Sequence, residues 1–282
     1  MAFSNFIPQI WSARLLDHLD KTHVYSSLMN RDYEGEIRAY GDTVRINQIS
    51  DITISDYTGA DFTGAPEELD STQQSLAIDQ AKYFNFQIKD LDNAQSNPKL
   101  MDAAMQRAAY GMNDKIDTYL ATLLVAGCAT GNVLHDDTAP VTPTSANAYD
   151  YLVDLSVKLS EANVPQLGRW VVVPPWFYGL LLKDDRFVGN GTDFNSAILQ
   201  NGLLGAAAGM AVYVSNNVPN VSNTKYKIIA GTNMAGSLAE QLVELEPYRR
   251  EANFSDAVKG LHVFGAKVVQ GTALAMMSCN KS

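Results

Sequence analysis

The chain has 282 residues, of which 46% are hydrophobic, and its formal net charge is −10. A chain of this length and composition can bury one large core or two modest ones, which excludes a disordered protein. The acidic balance argues against tight binding of nucleic acid, because phosphate binding needs clustered Lys and Arg.

The first 32 residues contain a short amphipathic helix. Its apolar side carries Ile10, Trp11, Leu15, Leu16 and Leu19. A helix this short is marginal in water on its own. We therefore expect it to lie on a surface, either the body of its own chain or a neighbouring copy.

Residues 33–96 have strand character and carry most of the negative charge, with four basic and twelve acidic residues. Apolar and polar residues alternate in Asp42–Ile49, in Asp51–Tyr57 and again in Ser75–Ile88. Between them, Tyr57–Asp70 is rich in Gly, Asp, Thr and Pro and predicts a loop or hairpin tip. The pattern predicts a long two-stranded arm, which is marginal in water unless its apolar face finds a partner.

The stretch from Asn97 to Gly127 predicts one long helix, about 45 Å long at 1.5 Å per residue. Asn97 can cap it, Pro98 suits its first turn and Gly127 can end it. The predicted apolar face contains Met101, Met105, Ala108, Met112, Ile116, Tyr119 and Leu123, whereas Lys99, Asp102, Arg107, Asn113, Asp114 and Asp117 lie mostly away from it. Gly111 in mid-helix predicts a tight packing contact or a slight bend.

After the helix, Ala129–Asn147 reads as a linker, and Ala148–Gln241 alternates helix and strand as an α/β subdomain does. The predicted helices are Tyr149–Ala162, Trp176–Lys183 and Asn233–Gln241, and the predicted strands are Arg169–Val173, Gly209–Val214 and Tyr226–Ala230. The last predicted strands are Leu242–Pro247, Leu261–Val269 and Thr272–Met277. We expect these last strands to return past the subdomain and pack against the long helix.

No group of residues in the sequence requires an enzyme, and we predict no catalytic residue, cofactor or metal. His135-Asp136-Asp137 could ligate a metal, but a solvated loop is the simpler interpretation. Gly189 and Gly191 lack the spacing of a dinucleotide fingerprint and read as a flexible loop. The run Tyr248–Glu251 could face nucleic acid, but arginines beside glutamate are more typical of a salt-bridged surface.

Cys128 and Cys279 lie far apart in sequence, so they indicate neither a disulfide framework nor a metal pair. The start of the chain lacks a basic segment followed by an apolar run, and no apolar run is long enough to span a bilayer. We expect a protein made in a reducing cytosol that does not cross a membrane.

The order of these parts resembles that of tailed-bacteriophage major capsid proteins of the Hong Kong 97-like fold. The segments that carry the resemblance are Phe6–Leu16, Asn30–Ile37, Gly41–Ile46, Val171–Pro175, Lys183–Phe187 and Val258–Val269. Each motif alone is weak, but together they extend along nearly the whole chain.

The resemblance implies an α+β fold with an N-arm, an extended β-hairpin called the E-loop, a peripheral domain and an inserted α/β axial domain. The implied bounds are 1–32 for the N-arm, 33–96 for the E-loop, 97–147 with 242–282 for the peripheral domain, 97–126 for its spine helix and 148–241 for the axial domain. The implied function is self-assembly into hexamers and pentamers of an icosahedral shell around double-stranded DNA. A non-viral shell protein of this fold is the alternative, followed by an α/β enzyme.

The chain itself is therefore the main expected partner, with weak, nonspecific contacts to packaged DNA and no membrane. Scaffolding, portal and decoration proteins are candidate further partners, in a virion assembled in the host bacterial cytoplasm. The candidate intersubunit contacts are Trp11, Leu15, Tyr57, Phe62, Lys183, Arg186, Arg249 and Arg250, the aromatic residues among them as anchors. Because the N-arm motif begins at Phe6, we expect a separate scaffolding protein or none. Because no lysine lies between Tyr33 and Ala81, we expect no covalent joining of the E-loop.

Overall fold

The computed structural model describes residues 24–32, 43–49, 52, 54, 71–89, 100–183, 203–250 and 255–281. Helices α1, α2 and α3 span Leu100–Gly127, Ala148–Glu161 and Pro175–Leu181. Strands β1 to β6 span Thr43–Ile49, Ser71–Ala77, Gln80–Lys89, Val133–His135, Trp170–Val173 and Leu203–Ala207. Strands β7 to β12 span Met210–Val214, Asn220–Val221, Lys225–Gly231, Gly236–Arg249, Ser255–Val268 and Leu274–Asn280.

Helix α1 is the 28-residue spine, and the predicted helix is confirmed from Leu100 to its end at Gly127. The predicted start at Asn97 and Pro98 lies outside the described residues. The buried stripe repeats every three or four residues through Ala109, Met112, Asn113, Ile116, Asp117, Leu120, Ala121 and Leu124. The prediction that Asn113 and Asp117 lie away from the core is wrong, because the core covers a broader stripe of the helix than its apolar residues mark.

Gly111 does not mark a tight contact. A Cβ added at Gly111 would meet no atom within 4 Å, and the residue is exposed. The predicted packing contact at this glycine is therefore wrong.

A three-stranded antiparallel sheet in the order β10-β11-β3 packs on the spine, which contacts β11 and β3. Its β10 overlaps the predicted helix Asn233–Gln241, and that prediction is wrong. Leu238 and Ala239 are both fully buried, although neighbouring residues of a strand point to opposite faces. The strand is thus buried on both faces here and lacks the alternation that would have identified it.

The predicted two-stranded arm is confirmed for β1 and β2, which pair antiparallel from Thr43↔Ala77 to Ile49↔Ser71. The predicted single strand Ser75–Ile88 is interrupted after Ala77, and β3 leaves the arm to pair with β11. The base of the arm packs on the body of the same subunit through Val44, Ile46, Leu76, Ile78, Ala239 and Val263. Part of the apolar face of the arm is therefore covered by the body of its own subunit.

A seven-stranded mixed sheet in the order β4-β12-β9-β5-β7-β6, with β8 on β9, forms the α/β part among the described residues. Helix α2 packs on β12 and β9. Two strands differ from expectation. The predicted linker contributes β4, and the last strand, β12, lies in this sheet beside β9, where its Leu274 shares a core cluster with Ile116 and Leu120 of the spine. The preceding strand, β11, does contact the spine as expected.

Two glycines differ in the space around them: Gly265 lies against backbone atoms of the arm, whereas Gly111 lies in open space. A Cβ at Gly265 would overlap the carbonyl oxygen of Ala77 and lie 2.9 Å from the Cα of Ile78, at the base of the arm. We expect Gly265→Ala to destabilise the subunit by about 2 kcal/mol, because backbone atoms must move. Gly111→Ala, in open space on a helix, should stabilise it by about 1 kcal/mol. Denaturant unfolding of both variants checks the opposite signs, and equal effects would contradict the described approach of the arm.

Candidate assembly surfaces

The described residues include three of the eight predicted intersubunit contacts. Lys183, Arg249 and Arg250 are exposed. Trp11, Leu15, Tyr57, Phe62 and Arg186 lie outside the described residues, as do Gly189 and Gly191. The structure therefore does not bring the eight residues together into one site, and their role in contacts between copies stays a prediction.

The far end of the β10–β11 hairpin carries charged groups that already have partners within the subunit. The Arg249 Nη1 lies 3.8 Å from the Asp256 carboxylate, and the Arg250 Nη1 donates to the Gln87 Oε1 at 2.7 Å. Nearby, Lys259 and Glu246 form an ion pair at 2.7 Å. The preferred interpretation of this run as a salt-bridged surface is confirmed for Arg249.

Two of the linker residues considered as a possible metal site, Asp136 and Asp137, are engaged in hydrogen bonds or an ion pair within the subunit. The Asp137 carboxylate pairs with Lys227 at 2.8 Å and accepts from the Ser278 hydroxyl at 2.8 Å. These two groups hold the pKa of Asp137 below its ordinary value. Asp136 accepts from the Thr138 hydroxyl and from backbone amides, which lower its pKa. Within the described ranges, no group of three or more His, Cys, Asp or Glu could hold a metal ion.

A buried carboxylate on the spine joins three parts of the chain. One Asp117 oxygen accepts from the backbone N–H of Tyr25 at 2.9 Å, and the other accepts from the Asn217 Nδ2 at 3.1 Å. Asp117 is 4% exposed and Tyr25 is fully buried. Burial, followed by the nearby Asp117 charge, raises the pKa of Tyr25 well above its ordinary value. The junction fixes the N-terminal segment and the loop after β7 against the same turn of α1.

The N-terminal segment is also tied to the first residues of β10. The Asn30 N–H donates to the Gly236 carbonyl, and the Leu238 N–H donates to the Asn30 carbonyl, both at 2.9 Å. Arg31 contacts the Ser26 hydroxyl and forms an ion pair with Glu240 at 2.7 Å. Residues 24–32 are thus held at both ends. The chain before residue 24 and the chain after residue 32 both depart from this anchored segment.

Sequence reasoning missed these anchors. The predicted apolar face excludes Asp117 because it is charged, although Asp117 follows Ala109 and Asn113 at intervals of one helical turn on the buried stripe. A carboxylate on the apolar stripe of a long helix was the sequence signal that could have indicated a buried hydrogen-bonded junction. Asn217 and Glu240 gave no sequence signal, because their partners are distant along the chain.

Large apolar side chains are exposed at several places on the described surface. They are Ile52, Ile54, Tyr83, Tyr110, Val153, Val157, Leu167, Leu182, Val221 and Met234. Ile52 and Ile54, which lie beyond the end of β1, are 63% and 94% exposed. The predicted strand Asp51–Tyr57 is not formed at these two positions. The described surface therefore offers further candidate contacts besides the eight predicted residues.

No helix within the described ranges is both long and apolar enough to cross a lipid bilayer.

Comparisons with known proteins show a consistent likeness. A family model described as phage capsid protein matches residues 72–276. A structure from Mycobacterium phage Che8 is 28% identical, covers 98% of each chain and has a TM-score of 0.73. The capsid of Cyanophage P-SCSP1u is 13% identical with a TM-score of 0.71, covering 93% of this chain and 89% of its own. A virus-like particle from Pyrococcus furiosus is 14% identical with a TM-score of 0.60, covering 96% and 99%. No curated protein sequence matches the chain.

The Asp117 junction generates a prediction. We expect Asp117→Ala to destabilise the unassembled subunit by about 2–4 kcal/mol, because it removes two hydrogen bonds to a charged group and leaves a buried N–H without its acceptor. Asp114→Ala, one helical turn away on a less buried face, should change stability by less than about 0.5 kcal/mol.

Denaturant unfolding measures both free energies, and hydrogen exchange reports the Tyr25 amide. A loss of Tyr25 protection in the Asp117 variant alone is the expected pattern. Equal stability of the two variants would show that Asp117 does not hold the junction.

Proposed function

The chain belongs to the phage capsid protein family, and we propose that its copies assemble as hexamers and pentamers around packaged double-stranded DNA. It is a structural major capsid protein, and its copies associate into an icosahedral shell. Its fold is the α+β Hong Kong 97-like fold, as the resemblance implied. Its place is the virion capsid, and its role there is structural.

The observation that best supports this mode of assembly is that one subunit fastens both residues 24–32 and the base of the β1–β2 arm. Residues 24–32 are fastened to the spine and to β10, and residues 1–23 and 33–42 continue from this fastened segment. The arm of β1 and β2 is packed at its base, whereas Ile54 beyond it is 94% exposed. An arm that is packed at its base and exposes apolar groups beyond it suits contacts with neighbouring copies.

We propose that four parts of the chain have separate roles in the shell. Residues 1–32 act as the N-arm, 33–96 as the E-loop, 97–147 with 242–282 as the peripheral domain and 148–241 as the axial domain at the centres of hexamers and pentamers. The strand pairing adds one feature, since β4 and β12 join the sheet of the axial part. That pairing gives the two proposed domains a shared sheet, which would keep them from moving independently. The predicted contacts Trp11, Leu15, Tyr57, Phe62, Lys183, Arg186, Arg249 and Arg250 remain candidates for the intersubunit surfaces.

We expect packaged DNA to bind the shell with low affinity. The net charge is −10, and Arg249 and Arg250 already bond within the subunit. A wall with low affinity for phosphate leaves DNA free to enter and leave. Portal and scaffolding proteins are proposed partners in assembly within the bacterial cytoplasm, and a decoration protein is a candidate for the finished surface.

A non-viral compartment is the second candidate. The likeness to the virus-like particle from Pyrococcus furiosus favours it, but at 14% identity that likeness concerns the fold alone. The two candidates differ in cargo, so a packaged nucleic acid in particles from infected cells distinguishes them.

The assembly itself is tested by expressing the protein and examining it by electron microscopy and sedimentation. We expect closed particles of megadalton size, built from rings of five and six subunits. A protein that stays monomeric under conditions in which it is folded, with and without added scaffolding protein, would contradict the proposal.

The proposed weak contact with DNA predicts a second result. Purified subunits mixed with duplex DNA should show no measurable complex at micromolar protein and physiological salt, because few cations are available to release counterions from phosphate. Titration at several salt concentrations checks this. Tight binding that falls steeply with added salt would contradict the proposed low affinity of the shell wall for phosphate.

A further inference from the structure

A buried histidine lies beside the ion pair that fastens the N-terminal segment. His262, on β11, is 2% exposed. Its Nε2 lies 3.9 Å from the Glu240 Oε2, while the Glu240 Oε1 pairs with Arg31 at 2.7 Å. Glu240 therefore lies between the N-terminal segment and β11, with a different carboxylate oxygen toward each.

The two oxygens of this carboxylate are not equally satisfied. Oε1 pairs with Arg31, whereas Oε2 is buried and, within the part of the chain that the structure describes, accepts no hydrogen bond. A buried carboxylate oxygen without a donor is costly. A protonated His262 ring would offer this oxygen a charged donor without displacing Arg31, because the two cations use different oxygens.

The strand pairing and the spine show which other charged groups face His262. On β3, the residue directly opposite is Lys82, which is partly exposed. On the spine, the buried stripe carries Asp117. Burial and the charge of the exposed Asp79 raise the pKa of the nearby Tyr119 and keep that phenol neutral.

These charges favour a positive ring. Lys82 and Asp79 both contact solvent, so their opposite charges are screened. That leaves two carboxylates, Glu240 and Asp117, against one cation, Arg31. A proton on the histidine restores the balance, and the carboxylate within ion-pair distance offsets the cost of burying a charged ring.

We propose that His262, when protonated, forms an ion pair with Glu240 and so strengthens the attachment of the N-terminal segment. The pair joins residues 24–32, β10 and β11 through Arg31, Glu240 and His262. Because residues 24–32 follow residues 1–23, the pH sets how firmly the start of the chain is held. This attachment is a property of the single subunit, and only its effect on the shell rests on the proposed role of residues 1–32 as the N-arm.

The direction of the pH dependence follows from the ion pair. The folded subunit binds the His262 proton more tightly than the unfolded chain does. The pair therefore contributes its full stabilisation below the ordinary pKa of a histidine, about 6.5, and the contribution is lost as the pH rises and the folded protein releases this proton. The N-terminal segment is held most firmly at mildly acidic pH.

Hydrogen exchange on unassembled subunits tests this attachment. The amides of Tyr25, Asn30 and Leu238 donate the hydrogen bonds that hold the segment. Their protection, corrected for the intrinsic pH dependence of exchange, should be about threefold to tenfold greater at about pH 6 than at about pH 8. The Val141 amide, which donates to the Ser278 carbonyl in the large sheet, should show no such change.

Two variants isolate the two members of the ion pair. His262→Gln keeps a polar side chain that cannot be charged, and Glu240→Gln removes the carboxylate while keeping its shape. Both variants should lose the pH dependence of protection. His135→Gln is the matched control, because His135 lies on β4 with its ring against Tyr151, and it should retain the full dependence.

A second measurement needs no variant at His262. Nitrogen chemical shifts of the imidazole rings in the unaltered subunit report whether each ring is charged. The His262 signals should pass from the neutral-ring values to the charged-ring values between about pH 8 and about pH 5.

The outcomes separate this inference from the proposed function. Loss of the pH dependence in His262→Gln and Glu240→Gln, with its retention in His135→Gln, would support the ion pair. Equal protection at the two pH values, a dependence that persists in His262→Gln, or a His262 ring that stays neutral would overturn it and leave the shell function intact. Failure of the unaltered protein to form particles would count against the shell function alone, because these measurements use unassembled subunits.

Discussion

The fold depends on how one buried charge is satisfied. Asp117 sits on the core side of the spine helix, and a carboxylate there is tolerated only when its oxygens are bonded. The Tyr25 amide and the Asn217 amide supply those bonds from two segments distant in sequence. An apolar residue at this position would leave the buried Tyr25 amide and the Asn217 amide without this acceptor. The buried charge therefore helps to fix residues 24–32 and the loop after β7 against the spine.

The described part of the subunit divides into a body with its own core and an arm, formed by β1 and β2, that packs on the body at its base. The body buries its own core around α1 and the large sheet, including Ile116, Leu120 and Leu274. The arm is supported at its base and exposes apolar residues beyond it. A shell protein needs this combination, because the body must fold before assembly and the extensions must find neighbours during it.

The sequence predicts those elements whose signals are local. The spine ends at Gly127 as predicted, and alternation marks β1 as a strand of the arm. Residues 236–241 were misassigned because a strand buried on both faces shows no alternation. Asp117 was misassigned because charge usually marks a solvated face, and the approach of His262 to Glu240 depends on a strand pairing that no periodicity records. The intersubunit surfaces are the least predictable part, since their partners belong to another copy of the chain.

Hydrogen exchange, measured on the same protein as unassembled subunits and as closed shells, tests this division most directly. The account predicts that the amides around Asp117 in the spine are equally protected in both states, while the arm strands β1 and β2 gain protection only in the shell. Full protection of the arm in the lone subunit would contradict the account, because the extensions would then need no neighbour.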